Sequence, residues 1–334
     1  MDWINKLVEW YRINARDLPW RRTRDPYAIW VSEIMLQQTR VAAVIPYYER
    51  FMAELPDAFA LSRISDDRLH KLWEGLGYYS RARNLKRAAM EITEQYGGKL
   101  PGTYKELLKL PGIGEYTAGA IASIAFGEAV PSVDGNVLRV YARLFADARD
   151  VRGMAFRKEV RAFFLPLMRV ADPALFNAAL MELGATVCLP NGAPKCELCP
   201  VAEYCEARRQ NRTEELPVIG KKSARRVEQK TVFALTVGGL PLGYRREEKG
   251  LLAGLWQLPD TAGLLTDAEA AVWMGERGIL PVGELRFYKR KHVFTHIEWQ
   301  MRVCSAEVSV KTLPEGWALL DERHALPTAY RVCL

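Results

Sequence analysis

The stretch Leu110-Pro111-Gly112-Ile113-Gly114-Glu115-Tyr116-Thr117-Ala118-Gly119-Ala120-Ile121 decides how the first part of this chain folds. One helix is predicted to end at the Pro-Gly turn, and a second to begin a few residues later. The two glycines allow a tight turn and leave backbone amides unobstructed. Amides at a helix N-terminus, helped by the helix dipole, bind a phosphate oxygen without reading base sequence. The stretch therefore predicts a phosphate-binding hairpin, although an ordinary helix–helix turn would use the same residue types.

The chain around this hairpin reads as helical from Asp2 to about Arg209. Apolar residues recur at spacings of three and four in Ile29–Tyr48, Asp66–Leu76, Leu85–Tyr96 and Thr117–Phe126. Breaks fall at proline and glycine positions, and few segments alternate as strands do. We therefore expect a helical domain over residues 1–210, with the hairpin at 110–121.

A different composition begins after this domain. Residues 211–229 contain Glu214-Glu215-Leu216-Pro217 and the charge run Lys221-Lys222-Ser223-Ala224-Arg225-Arg226, which is typical of a linker. Thr231–Val237, Leu285–Phe294 and Glu298–Val310 then read as strands, and Asp267–Arg277 as a helix. Residues 230–334 are therefore predicted to form an α+β domain.

Bulk composition is that of a folded protein with a basic surface. The 334 residues are 49% hydrophobic and 26% charged, and the net charge is +7. A basic surface suits a polyanionic partner, although it does not identify one. The N-terminus reads as an amphipathic helix, and no apolar run approaches the roughly 20 residues that span a bilayer. We expect a cytoplasmic monomer that contacts no membrane.

Four of the six cysteines lie close together in the sequence. Cys188, Cys196, Cys199 and Cys205 have the spacing C-x7-C-x2-C-x5-C. Four thiolates within eighteen residues can bind Zn²⁺ or a [4Fe-4S] cluster, and the spacing alone does not decide between them. Cys304 and Cys333 are isolated and are predicted to be packed or surface thiols.

Asp134 follows the hairpin in Val133-Asp134-Gly135-Asn136-Val137-Leu138-Arg139-Val140. Aspartate at the start of an apolar helical run is a favoured N-cap. If the hairpin binds a nucleic-acid backbone nearby, the same carboxylate could stabilise positive charge that develops on a sugar. Both roles remain open from the residues alone.

Hairpin and aspartate together resemble the endonuclease III superfamily of helix-hairpin-helix DNA glycosylases. Three further segments are similar to adenine DNA glycosylases of the MutY type: Asp17–Arg22, Ile29–Thr39 and Gly75–Arg83. The resemblance runs from about residue 1 to the end of the chain and is weaker in the C-terminal third. It implies removal of adenine mispaired with 8-oxoguanine or guanine in double-stranded DNA.

The resemblance also implies roles for individual residues. Glu33 would be the general acid that protonates adenine, and Asp134 would stabilise the oxocarbenium-like sugar, as two carboxylates do in glycosidases. Asn136 and Tyr116 would be polar helpers in catalysis. Bifunctional members of the superfamily have a lysine at position 116 that forms a Schiff base. Tyr116 cannot form one, so we expect a monofunctional glycosylase that leaves an abasic site.

Contacts to DNA and to the flipped base are implied in the same way. Trp20 and Arg21 match positions that line the adenine pocket. The other matching positions are Leu36, Gln37, Gln38, Leu76 and Tyr78, for which core packing is the alternative, and Pro111, Gly112 and Gly114, for which an ordinary helix–helix turn is the alternative. Relatives have a Gln or Glu where this chain has Ala178, so one polar contact in the adenine pocket differs here.

For the cysteines, the superfamily's usual first gap is six residues and this one is seven. A Pro/Gly loop absorbs one extra residue, so the resemblance favours a structural [4Fe-4S] loop at 188–205.

The C-terminal domain resembles the Nudix-like domain of the same family. Its helix offers only Glu269 and Glu276, which disfavours a metal-dependent hydrolase. The loop Phe294-Thr295-His296 resembles the one that recognises 8-oxoguanine, where relatives commonly have Phe-Ser-His. An ordinary strand end is the alternative for this loop.

We therefore expect a multidomain protein, with an all-α helix-hairpin-helix glycosylase domain that contains a [4Fe-4S] loop and an α+β Nudix-like C-terminal domain. Two other functions remain: a thymine–guanine mismatch glycosylase of the same superfamily, and a catalytically silent DNA-binding protein. The Phe-Thr-His loop argues against the first, and the presence of both Glu33 and Asp134 argues against the second.

Overall fold

The computed structural model describes residues 2–190, 192–220 and 224–334. Met1, Asn191 and positions 221–223 of the predicted linker lie outside the described residues. By its internal packing the chain divides into two compact units, residues 1–63 with 83–221 and residues 64–82 with 222–334. Among the described helices, none combines the length and the apolar character needed to cross a bilayer.

The first unit is helical, as the sequence predicts. Its helices are α1 Asp2–Asn14, α2 Pro26–Leu36, α3 Val41–Glu54, α4 Ala58–Arg63, α6 Ser80–Tyr96 (which begins in the second unit), α7 Tyr104–Leu107, α8 Glu115–Phe126, α9 Gly135–Leu144, α10 Met154–Phe164, α11 Pro173–Thr186 and α12 Glu206–Arg209. One apolar core joins α1, α9, α10 and α11 through fully buried side chains such as Leu7, Val137 and Phe176.

Two segments depart from the predicted helices. The apolar stretch 29–48 is two helices, because the backbone turns at residues 37–40 and Gln38 has a φ of +58°. The stretch 66–76 is helical only over α5, Asp66–Leu72. After it the chain turns through Gly75 and Gly77, which both have positive φ. Periodicity alone did not reveal these turns, because apolar residues continue through them.

The hairpin forms where the sequence predicts it. Its first helix, α7, is a single turn capped by Thr103, and its second, α8, begins after Gly114. Gly112 has a φ of +76°, and a Cβ there would lie 2.7 Å from the Cβ of Asn84. This position therefore requires glycine twice over, for its backbone conformation and for its close approach to α6.

The second unit contains a mixed sheet. Its elements are α5, β1 Arg226–Val237, β2 Leu240–Arg245, β3 Trp256–Gln257, β4 Asp260–Ala262, α13 Asp267–Gly275, β5 Ile279–Pro281, β6 Arg286–Val293, β7 Ile297–Val310, β8 Trp317–Leu319 and α14 Thr328–Arg331. The main path is β3-β2-β1-β7-β5, and β6 pairs antiparallel with β7. The predicted strands at 231–237, 285–294 and 298–310 are confirmed.

The central strands β1 and β7 run parallel and are covered on both faces. Val232 and Val303 are paired and belong to one apolar core, whereas the next pair, Phe233 and Cys304, belongs to a second core. Burial on both faces explains why Thr231–Val237 reads as a continuous apolar run. Cys304 and Cys333 are fully buried, so both are packed thiols.

Helix α13 is the helix predicted over residues 267–277, but it ends at Gly275 and leaves Glu276 outside it. Its Glu269 accepts hydrogen bonds from the backbone N–H of Thr266 at 2.7 Å and from the Thr266 hydroxyl at 2.8 Å. This reciprocal capping box fixes the first turn of α13 and occupies the Glu269 carboxylate.

Candidate active site

Helix α2 carries Glu33 into a cavity. Asp25 caps the helix, and residues 27–35 are all buried, so Glu33 is a carboxylate with 6% exposure in an apolar setting. It lines a cavity of about 240 Å³ in the first unit. Five of the residues singled out from the sequence meet on the walls of that cavity: Trp20, Arg21, Glu33, Leu36 and Tyr116.

The surroundings of Glu33 keep a large fraction of it protonated near neutral pH. Burial raises its pKa to about 7, and the nearby charge of Asp134 acts in the same direction. The Tyr116 hydroxyl donates a 2.7 Å hydrogen bond to Oε2 of Glu33, which acts to lower the pKa, as does the charge of Arg21. A carboxyl group balanced near pH 7 has the acidity that a general acid needs.

Asp134 is both an N-cap and a candidate catalytic group. Its Oδ1 accepts a 2.8 Å hydrogen bond from the N–H of Val137 at the start of α9, and its Oδ2 accepts one of 2.6 Å from Nδ2 of Asn136. Burial raises its pKa, and these two donors act against that rise. The side chain is half-buried, so a cap in the fold and a role at the surface of the site are compatible.

Arg139 connects Asn136 to the start of the cysteine segment. Its Nη2 donates 2.8 Å hydrogen bonds to Oδ1 of Asn136 and to the carbonyl of Gly184, and its Nε donates one of 2.7 Å to the carbonyl of Cys188. A Cβ at Gly184 would lie 2.5 Å from the Cβ of Asn136. Glycine therefore lets α11 approach the residue that orients Asp134.

The four cysteines Cys188, Cys196, Cys199 and Cys205 line one small cavity. They are of the donor class that a [4Fe-4S] cluster requires, and each is half-buried. Burial raises the pKa of Cys199 to about 12, and the neighbouring thiols add to the rise. Within the described residues, no three His, Cys, Asp or Glu side chains are arranged to hold a metal ion as they stand. The cluster therefore remains a proposal that the donor set supports.

Arg143 lies against the same thiols. It is 3% exposed, and its Nη1 is 3.3 Å from Sγ of Cys188 and 2.8 Å from the carbonyl of Leu189. A buried guanidinium suits a site that would carry negative charge when thiolates are present.

The hairpin opens onto a second cavity of about 420 Å³. Gly112 and Gly114 line it together with Gln37, and both glycines are exposed. Gln37 is held by a 3.2 Å hydrogen bond from its Nε2 to Oγ1 of Thr117. Pro111 is half-buried in the turn, and Tyr116 lines both this cavity and the one that contains Glu33.

Two exposed side chains at the predicted DNA contacts have unusual backbone conformations. Gln38 has a φ of +58° and Tyr78 one of +47°, which residues with a Cβ adopt only when the surroundings impose it. Tyr78 is 45% exposed, whereas Leu76 is buried. These two predicted DNA contacts thus differ: Tyr78 is presented to solvent, and Leu76 is packed inside the second unit.

The Phe294-Thr295-His296 segment is the turn between β6 and β7. The Phe294 ring packs edge-on against Trp299 at 4.9 Å and against His292 at 4.6 Å, which anchors the turn. Thr295 and His296 are exposed at its tip. The hydroxyl of Thr295 is 3.0 Å from that of Tyr78, within the same unit.

Sequence reasoning missed several charged residues of the site. Arg16 and Glu182 line the Glu33 cavity, and Arg157 and Arg161 line the hairpin cavity. Arg139 lines neither but holds Asn136 by a hydrogen bond. Glu182 lies in Leu180-Met181-Glu182-Leu183, so the same signal that identified Glu33, a carboxylate within an apolar helix, would have identified it. Ala178 lies one turn earlier on α11 and does line the Glu33 cavity.

Comparisons with known proteins match the two parts of the chain to two families. Residues 31–164 match the model of the HhH-GPD superfamily of base excision DNA repair proteins, and residues 231–334 match the NUDIX domain. The chain is 35% identical to the adenine DNA glycosylase of Homo sapiens over 97% of this chain and 72% of that protein. It is 36% identical to the adenine DNA glycosylase of Arabidopsis thaliana over 98% of this chain and 60% of that protein.

Solved structures resemble the helical part. A thermostable thymine-DNA glycosylase matches with a TM-score of 0.55 and 30% identity, over 62% of this chain and 95% of that one. A trapped endonuclease III–DNA covalent intermediate matches with a TM-score of 0.53 and 22% identity, over 62% of this chain and 94% of that one, which shows a shared fold.

Proposed function

Because the chain belongs to the family of adenine DNA glycosylases, we propose that it removes adenine mispaired with 8-oxoguanine or guanine, with Glu33 as the general acid. Membership makes it a DNA glycosylase of base excision repair, a hydrolase that acts on N-glycosidic bonds. The observation that carries the finer proposal is the cavity in which a protonatable Glu33 meets Trp20, Arg21 and Tyr116.

In the proposed reaction, the flipped adenine enters the Glu33 cavity and accepts a proton from the carboxyl group on a ring nitrogen. The N-glycosidic bond then breaks, and its electron pair leaves with the base. Positive charge develops on the sugar, where the Asp134 carboxylate stabilises it. Water adds to the sugar carbon and loses a proton, which leaves an abasic site. The hydrogen bonds from Asn136 and Val137 hold the carboxylate for this step.

We also propose that the enzyme does not cleave the DNA strand. A Schiff base requires an amine at the sugar, and position 116 supplies a phenol whose proton is already donated to Glu33. Incubation of the pure enzyme with substrate should therefore give abasic DNA that breaks only after alkali. Strand breaks without alkali, trapped as a covalent adduct by borohydride, would contradict this.

For DNA contacts, the proposal assigns the exposed hairpin glycines to a backbone phosphate and Gln37, Gln38 and Tyr78 to the bases around the flipped adenine; Leu76, which is buried, is assigned to packing instead. Trp20 and Arg21 would line the adenine pocket. Phe294, Thr295 and His296 would read 8-oxoguanine, and the exposed tip of that turn supports the assignment.

We propose that Cys188, Cys196, Cys199 and Cys205 hold a [4Fe-4S] cluster. The cluster would cross-link the segment 188–205 and would not take part in hydrolysis. Arg139 and Arg143 lie on α9 and donate hydrogen bonds to carbonyls of this segment. A cluster that fixes the segment would therefore also help to fix α9. Iron and sulfide analysis of the purified protein tests the assignment; zinc without sulfide would contradict it.

The decisive experiment compares base release from duplexes under single-turnover conditions. Adenine opposite 8-oxoguanine should be released, and faster than adenine opposite guanine. Thymine opposite guanine is the necessary comparison, because one structural relative is a thymine-DNA glycosylase. The E33Q variant should release no adenine and still bind the duplex, whereas E94Q, at an exposed position on α6, should behave as the parent. Release of thymine, or full activity of E33Q, would overturn the proposal.

A further inference from the structure

A second carboxylate, Glu182, lies on the wall of the cavity that contains Glu33. Its side chain has no exposure, and both of its oxygens are bound by arginines. Oε1 accepts a 2.7 Å hydrogen bond from Nε of Arg16 and one of 3.1 Å from the Arg16 backbone N–H. Oε2 accepts hydrogen bonds of 2.8 Å from Arg16 and 2.7 Å from Arg21.

This network keeps Glu182 ionised. Burial alone would raise its pKa, but the hydrogen bonds and charges of the two arginines outweigh burial and hold the pKa at about 2. Glu182 is therefore an anion throughout the pH range in which Glu33 changes its charge. Two buried carboxylates thus line one cavity, and at neutral pH Glu182 is ionised whereas Glu33 is partly protonated.

The guanidinium of Arg21 connects the two carboxylates. It binds Glu182, and its charge also acts on Glu33, where it favours ionisation. Arg21 is fixed further by a 3.0 Å hydrogen bond to the carbonyl of Arg16 and by the face of Tyr11, 5.5 Å from its guanidinium. Without a partner carboxylate on this wall, Arg21 would present an unopposed positive charge to Glu33.

We propose that Glu182 is a positioning residue that holds Arg16 and Arg21 on the cavity wall and offsets their positive charge, so that Glu33 keeps the proton it must give to the base. Together the three side chains carry one net positive charge, two cations less one anion, and removal of the carboxylate leaves two. In a buried cavity such a change acts strongly on a neighbouring acid, because little solvent screens it.

The charges that face Glu33 come from several elements. Tyr116 on α8 and Asp134 before α9 act on it directly, as does Arg21 in the segment between α1 and α2. Glu182 on α11, with Arg16, Arg24 and Tyr11, completes the titratable and charged groups of the cavity. Of these, Arg21 is the cation that both acts on Glu33 and is bound by Glu182, so the effect of Glu182 is expected to pass through it.

The test compares the pH dependence of adenine release in four variants, and so rests on the proposed function. E182Q removes the charge of the side chain and keeps its shape. The pH at which the rate of adenine release falls should then decrease by about 1 unit, which is the usual size of the effect of a nearby opposite charge on a pKa. E182D keeps the charge and should keep the parent's profile. R21Q should move the fall to higher pH, and R21Q/E182Q should lie close to the parent.

A uniform loss of rate in E182Q, with the pH profile unchanged, would show a merely structural role and overturn the proposal. An unchanged profile in R21Q would overturn it as well, and that result does not depend on the folding of E182Q.

A second measurement does not need activity. The infrared band of the protonated Glu33 carboxyl, identified as the band that E33Q lacks, can be titrated in the absence of DNA. Its midpoint should fall in E182Q and rise in R21Q. If the protein released no adenine, the proposed function would fail while this titration still tested Glu182. Equal midpoints in the parent, E182Q and R21Q would overturn the inference alone.

Discussion

The hydroxyl of Tyr116 donates a 2.7 Å hydrogen bond to Oε2 of Glu33, across 83 residues of sequence. Tyr116 thus contacts the candidate acid directly. Burial raises the pKa of Tyr116 well above its usual value, so the phenol stays a donor at all relevant pH values. Under the proposed function, one side chain therefore holds the acid by a hydrogen bond and offers no amine for a Schiff base.

The Y116F variant should shift the pH profile of adenine release upward. The phenol lowers the pKa of Glu33, so its loss leaves burial less opposed and the proton more tightly held. The parent's single-turnover rate is expected to fall near pH 7, the pKa of Glu33. In Y116F we expect this fall to move to higher pH, and the plateau rate to decrease because Glu33 is less well oriented.

Y96F, at a half-buried position on α6, is the matched control and should leave the profile in place. A shift to lower pH in Y116F would show that Tyr116 does not stabilise the ionised carboxylate.

Glu33 should cost the fold stability at alkaline pH. Its pKa rises from 4.5 to about 7 on folding, so its contribution is fully present below about 4.5 and is lost as the pH rises through about 7. E33Q, which is neutral at every pH, should therefore have a higher free energy of unfolding at pH 8, by up to about 3 kcal/mol from the size of the shift, and a similar one at pH 4.5.

Urea unfolding of both proteins at the two pH values measures this difference. A deficit of E33Q at pH 8 would show that the Glu33 carboxylate is stabilised in the fold, against the assignment of a raised pKa. Loss of activity with gain of stability is the pattern expected of a residue kept for chemistry.

Local motifs made part of the site predictable. Gly112, Gly114 and Tyr116 are within one short segment, and Glu33 stands out as a charge in an apolar helix. That Tyr116 and Glu33 line one cavity follows from the family resemblance, which related distant segments. The residues that were missed act over long separations: Arg16 binds Glu182 across 166 residues, and Arg139 binds the Cys188 carbonyl across 49. Periodicity and composition contain no information about which arginine meets which carboxylate.

The T295V variant tests recognition of the opposite base. Valine keeps the shape of threonine and removes the hydroxyl that lies 3.0 Å from Tyr78. We expect the preference for adenine opposite 8-oxoguanine over adenine opposite guanine to fall several-fold. The reason is the loss of the proposed hydrogen bond between the Thr295 hydroxyl and 8-oxoguanine, which is worth about 1 kcal/mol. The rate on adenine opposite guanine should stay unchanged.

T312V, at an exposed position in the same unit, is the control. An unchanged preference in T295V would assign the recognition of 8-oxoguanine elsewhere than to this hydroxyl.

The R139Q variant tests whether the hydrogen bonds of Arg139 to the cysteine segment and to Asn136 help to hold Asp134 in place. Arg139 is 8% exposed and binds Asn136, Gly184 and the Cys188 carbonyl together, and glutamine cannot span all three. With Asn136 less firmly held, the Asp134 carboxylate loses a fixed donor at Oδ2. We expect adenine release to fall at least tenfold in protein that contains the proposed cluster to the same extent as the parent. Iron content and rate must be measured on the same sample, because loss of iron alone would disturb the segment 188–205 from its other end. A normal rate in iron-replete R139Q would show that Asn136 and Val137 hold Asp134 without this connection.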